Sequence, residues 1–112
     1  MKIKINSKEF ELNFGVRFVN ELDHVAALKT FNGVEFGMGL TKSIPALKAY
    51  DPAVLAKVLY SSTVLCSPRP GLEDIYDFID SPATDIEKLF DDVNAELIKS
   101  NALKVALKKA TA

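Results

Sequence analysis

Polar and apolar residues alternate from Lys2 to Ile5 and again from Glu9 to Asn13, with Asn6-Ser7-Lys8 between them. A period of two marks strands with one buried face, and the intervening residues supply turn chemistry. The pattern predicts a β-hairpin over 2–13 with Ile3, Ile5, Phe10 and Leu12 on one side. Two strands alone are not stable in water, so that side must lie on helices.

After Gly15 the period lengthens. Phe18, Val19, Leu22, Val25 and Ala26 fall at helical spacing, predicting a helix over 16–30. From Phe31 to Gly39 three glycines alternate with Val34, Phe36 and Met38, a density that predicts a loop or turn rather than a helix interior. A second helix is expected over 40–50, starting later than Leu40 if Pro45 is to lie in its first turn. Asp51-Pro52 reads as an N-cap followed by proline at the first helical position, opening a helix over 52–66. Its stripe is Leu55, Val58, Leu59, Ser62, Leu65 and Cys66, and Ser67-Pro68-Arg69-Pro70-Gly71 ends it. A short helix follows over 72–80, with Leu72, Ile75, Phe78 and Ile79 inward. A capping box of Thr84 and Glu87 opens the last helix, over 85–110, with Ile86, Leu89, Phe90, Val93 and Leu97 inward. Asn101 either ends that helix or interrupts a stripe continued by Leu103, Ala106, Leu107 and Ala110. The expected fold is therefore α+β and mostly α: an N-terminal hairpin packed on four to five helices, forming one domain over 1–112.

Composition supports a globular domain. The 112 residues are 48% hydrophobic and 26% charged, enough to bury a core without staples. Cys66 is the single cysteine, which excludes an intrachain disulfide and fits a reducing compartment. No apolar run of signal-peptide or membrane-span length is seen, so a cytoplasmic protein is expected.

Net charge is only −1, but it is unevenly spread. Between Leu72 and Glu96 stand nine acids and one base, Lys88; from Leu97 onward stand Lys99, Lys104, Lys108 and Lys109 and no acid. Acids early and bases late in helices match the helix dipole. Alternatively, the two signs meet between copies, with Asp77, Asp80, Asp91 and Asp92 facing the four lysines.

The residues offer little chemistry. His24 points away from the apolar stripe around it, and Cys66 falls on a stripe with no histidine near it in sequence. No Cys/His cluster has zinc-ligand spacing, and no acids are spaced as in a calcium loop. Gly37-Met38-Gly39-Leu40-Thr41-Lys42 lacks the residue order and preceding strand of a phosphate loop. No catalytic residue, metal or cofactor is therefore expected. The lysine-rich end admits a small DNA-associated regulator as an alternative. Against that reading, it has neither arginine nor aromatic interleaving, and acids stand beside it. The glycine loop is the more informative feature. Phe31, Val34, Phe36, Met38 and Leu40 either fold under the core or form an apolar patch for another copy or a client.

Four strings carry a resemblance: KIKINSKEFELNFGVRFVNELD at 2–23, GVEFGMGL at 33–40, PRPGLEDIYDFID at 68–80 and DIEKLFDDVNAELIKSNA at 85–102. In order and spacing the chain resembles the tail assembly chaperones of siphophages and of prophages of Gram-positive bacteria. Gly71 departs from the serine N-cap expected there. The resemblance implies a non-enzymatic protein of the host bacterial cytoplasm, absent from the mature virion. It implies three partners: the tape measure protein, which it coats; its own copies, in an open head-to-tail spiral; and the tail tube protein, through a longer product of ribosomal frameshifting. Lys108-Lys109 is a candidate for encoding by an A-rich slippery run.

Overall fold

The computed structural model describes residues 1–25, 30–31, 34–35 and 39–104. Strands β1 (Lys2–Ile5) and β2 (Lys8–Glu11) pair antiparallel, with Ile3 opposite Phe10 and Ile5 opposite Lys8. The turn between them is two residues long, and Asn6 and Ser7 both take positive φ (52° and 66°). That backbone matches the right-handed twist of the strands, and asparagine tolerates it better than most residues. Ile3, Ile5, Phe10 and Leu12 are buried, as the alternation requires. β2 stops short of Asn13, whose N–H instead donates to the Ser62 carbonyl (2.8 Å) and ties the hairpin to the helices.

Five α-helices follow among the described residues, so the mostly helical α+β expectation holds. Helix α1 (Val16–Val25) buries Phe18 and Leu22, one turn apart. It does not reach residue 30, because Thr30–Phe31 form strand β3, which pairs antiparallel with β4 (Val34–Glu35). The Asn32-Gly33 step between the paired Phe31 and Val34 is a strong two-residue hairpin signal. Reading this stretch only as a glycine-rich loop overlooked it.

Helix α2 (Gly39–Lys48) starts before Leu40, not after it, and carries Pro45 in its interior. Proline there removes one hydrogen bond from the ladder, and tertiary contacts hold the helix start. The Gly39 N–H donates to Asp23 Oδ1 of α1 (3.0 Å). A Cβ on Gly39 would lie 2.7 Å from the Leu22 carbonyl oxygen, so the two helices touch backbone to backbone. Leu40, Ile44 and Leu47 then face the core at one-turn intervals. At the other end of α2, Tyr50 takes a left-handed φ of 59°. Its N–H bonds to the Leu47 carbonyl (3.2 Å) and the Asp51 N–H to the Ala46 carbonyl (3.0 Å). This is the Schellman closure, with tyrosine where glycine is usual.

Helix α3 (Pro52–Ser62) opens as the sequence implies, with Asp51 Oδ1 accepting from the N–H groups of Ala53 and Val54. It ends at Ser62 rather than at residue 66. The hydroxyls of Ser61, Ser62 and Thr63 donate to the carbonyls of Lys57, Leu59 and Tyr60 (2.6–2.7 Å), so three buried polar residues are satisfied within their own turn. Past this point the stripe breaks. Leu65, expected inward, is 55% exposed, while Cys66 is half-buried and donates its thiol to the Glu11 carbonyl. Arg69 anchors the connection that follows. It donates to Glu21 Oε2, to Thr63 Oγ1 (3.2 Å) and to the Tyr60 carbonyl (2.8 Å), with its guanidinium over the Tyr60 ring.

Helix α4 (Leu72–Asp80) is capped by Gly71, whose N–H donates to Asp74 Oδ2 (3.0 Å). The absent serine therefore leaves half of a capping box in place. Helix α5 (Ile86–Lys99) is capped by Asp85, which accepts from the Lys88 N–H (3.1 Å). The Thr84–Glu87 box is not formed; the Thr84 hydroxyl donates to the Phe78 carbonyl (2.6 Å) and closes the end of α4. Ile86, expected inward, is exposed, while Leu89, Phe90, Val93 and Leu97 are buried. The last helix does not run unbroken from 85 to 110. It ends at Lys99, the Ser100 hydroxyl donates to the Phe14 carbonyl (2.7 Å), and a 3-10 turn over Asn101–Leu103 brings Leu103 into the core. The rest of the expected stripe, Ala106 to Ala110, lies outside the described residues.

In the assembled domain α3 packs on α1, α2 and α4, α5 on α2, and β1 on α4. The Gly39 contact is a sharp test of this arrangement. Gly39→Ala places a methyl against main chain that cannot rotate away, and should lower unfolding stability by about 1–3 kcal/mol. Urea denaturation followed by circular dichroism reads this directly; a loss below about 0.5 kcal/mol, the size of an ordinary surface change, would contradict the close approach.

Candidate interaction surfaces

The Asp23–Gly39 hydrogen bond ties the end of α1 to the start of α2. The segment between these residues contains the β3–β4 ladder. Of the apolar residues expected to make contacts, Phe31 and Val34 are paired across that ladder, and Phe36 and Met38 lie outside the described residues. Leu40 belongs elsewhere: it is buried in the first turn of α2 and committed to the chain's own core.

The expected charge surface divides in two. On α5, Asp92 is bridged to Lys88 (2.8 Å) and Lys99 lies near Glu96 (3.8 Å), so these charges have partners on their own helix. Asp91 accepts from the Tyr50 hydroxyl (3.3 Å), whose ring stands edge-on to Phe90. On α4, by contrast, Asp77 and Asp80 are exposed and form no ion pair with another described residue. Lys104 is exposed, and Lys108 and Lys109 lie outside the described residues. The structure thus separates four acids that the sequence grouped together.

A groove runs between α3 and α4. It is lined by Ala53, Ala56, Tyr76 and Ile79, and its rim carries the exposed acids Glu73, Asp77 and Asp80. Periodicity did not reveal it, because it depends on how two helices cross. Exposed apolar side chains were also not foreseen: Val16 (73%) and Ile98 (69%) stand two residues from Phe14 and Ser100, which are hydrogen-bonded to each other.

Reaction chemistry is sparse on these surfaces. His24 is exposed at the end of α1. No group of three or more His, Cys, Asp or Glu side chains among the described residues is placed to hold a metal ion. No helix among them is long and apolar enough to cross a membrane. What the fold presents is a small helical domain with candidate contact features: the segment between α1 and α2, an acid-rimmed groove and scattered exposed apolar residues. A family model described as phage tail assembly chaperone protein, TAC, matches residues 2–111, and the chain belongs to that family. No curated protein and no solved structure matches it.

Tyr50 offers a local check on the α2–α5 face. The negative charge of Asp91, then its hydrogen bond to the phenol, then desolvation and Glu87 all favour the neutral hydroxyl and raise its pKa above the ordinary tyrosine value. The raised value means this contact is intact below the unfolded tyrosine pKa and is lost as pH climbs through the folded one. Asp91→Asn should lower the pH at which Tyr50 ionises, visible as a shifted phenolate absorbance titration. An unshifted titration would mean that Asp91 does not govern this tyrosine.

Proposed function

We propose that this chain is a non-enzymatic chaperone of tail morphogenesis in a long-tailed phage or a prophage of a Gram-positive host. In this reading it coats the tape measure protein, a very long helical client, in the bacterial cytoplasm, and it is absent from the finished virion. Copies associate head to tail in an open spiral, and a longer frameshifted product recruits tail tube subunits. The observation that carries this reading is the family match over residues 2–111, nearly the whole chain.

The surfaces are physically suited to it. Contact between two unlike patches gives an open helical array when its rotation does not close. The segment between Asp23 and Gly39 holds the apolar run from Phe31 to Met38 in its sequence, and Asp23 and Gly39 are hydrogen-bonded to each other. Apolar contact there supplies affinity, and charge on the helices supplies orientation.

Co-expression with the tape measure protein is the decisive experiment. The client should move from the insoluble to the soluble fraction and co-purify with this chain; a client equally insoluble with and without it would refute the reading. A second expectation concerns the 31–40 segment. Phe36→Ser with Met38→Ser should abolish self-association and leave the helical circular dichroism signal intact. Unchanged sedimentation of that variant would remove the segment from the contact.

A further inference from the structure

The geometry points to the α3–α4 groove as the acceptor for the lysine-rich segment, residues 104–109, of a second copy of this chain. This rests on the self-association reading above and assigns its polar contact to one place.

Three observations converge on the groove. Part of its lining is apolar, formed by Ala53 and Ala56 of α3 with Tyr76 and Ile79 of α4. Its rim is acidic, and those acids have no cationic partner among the described residues, unlike Asp92, which is bridged to Lys88. The rim is also unfavourable to α4 itself. Glu73, Asp77 and Asp80 fall at i, i+4 and i+7 on one helical stripe, where like charges repel. Asp77 and Asp80 lie in the C-terminal half of α4, toward the negative end of its dipole, with no base in the last turn. A cation seated there relieves both penalties at once.

The occupant is read from complementarity. After Leu103 the sequence continues Lys-Val-Ala-Leu-Lys-Lys, which combines three positive charges with three apolar residues and has no acid. The second copy follows from the self-association reading, and position makes the contact head to tail. The Ser100 hydroxyl is bonded to the Phe14 carbonyl, and the neighbouring Asn13 N–H to Ser62 at the C-terminal end of α3. The groove lies at the opposite end of α3, around Pro52, Ala53 and Ala56. The last anchor before the segment and the groove thus stand at opposite ends of one helix, roughly 14 Å apart along its axis at 1.5 Å per residue. Unlike surfaces at opposite ends are what a head-to-tail contact uses.

Charge exchange tests this with the full chain. Asp77→Lys with Asp80→Lys makes the groove rim basic; Lys108→Glu with Lys109→Glu makes the segment acidic. Sedimentation velocity over a concentration series should show each variant alone associating about ten-fold or more weakly than the unaltered chain, because like charges then meet. An equimolar mixture of the two variants should regain association, since each groove then meets an opposite segment. Circular dichroism checks that both variants fold. A mixture no more associated than its components overturns the proposal. So does a wild-type contact that is independent of concentration, which would mean the chain's own segment fills its groove. If both variants associate like wild type while Phe36→Ser with Met38→Ser does not, the groove assignment fails and the self-association reading stands. If the unaltered chain stays monomeric at every concentration, both fail.

Discussion

The C-terminal half of helix α3 is largely enclosed. Val58, Leu59, Ser61 and Ser62 are buried, and neighbours pack on the helix from α1, α2 and α4. A helix end enclosed in this way cannot expose its last carbonyls to solvent, so they must be satisfied from within. Three successive hydroxyls, the hairpin N–H of Asn13 and the Arg69 guanidinium meet that requirement at the carbonyls from Lys57 to Ser62. The same groups fix the hairpin and the connection to α4. The polar finish of one buried helix thus orients most of the domain.

Long-range polar contacts also fix the ends of the flanking elements. The start of α2 and the end of α1 are joined by one hydrogen bond and one backbone contact at Gly39. The chain after α5 is held by Ser100 on Phe14 and by burial of Leu103.

The apolar pattern carried the core faithfully. Ile3, Phe10, Phe18, Leu22, Leu55, Leu59, Ile75, Phe90 and Val93 are all buried where the periods of two and 3.6 placed them. Boundaries were less readable, because they are set by groups distant in sequence. The start of α2 depends on Asp23, sixteen residues earlier, and the close of α4 on Thr84, which looked like a cap for the next helix. Leu65 kept the helical period after the helix itself had stopped. The surfaces were hardest to read. Charge counting joined Asp77 and Asp80 to Asp91 and Asp92, but only folding reveals which acids already have partners.

Tyr50 and α4 share a feature that local stability does not explain. Glycine would fill the left-handed position at the end of α2 with less strain than tyrosine. A base, rather than Asp80, would suit the end of α4. Both departures involve exposed side chains, although the Tyr50 ring also packs edge-on against buried Phe90. Consistency between local preference and fold is the usual condition of a stable domain, and departures from it are expected where function intervenes. Each site keeps a side chain able to reach another molecule: a half-exposed aromatic ring beside Asp91, and an acidic rim beside an apolar groove. In a tail assembly chaperone, moderate contacts at several such sites can be broken in turn, as the hold of one deep pocket cannot.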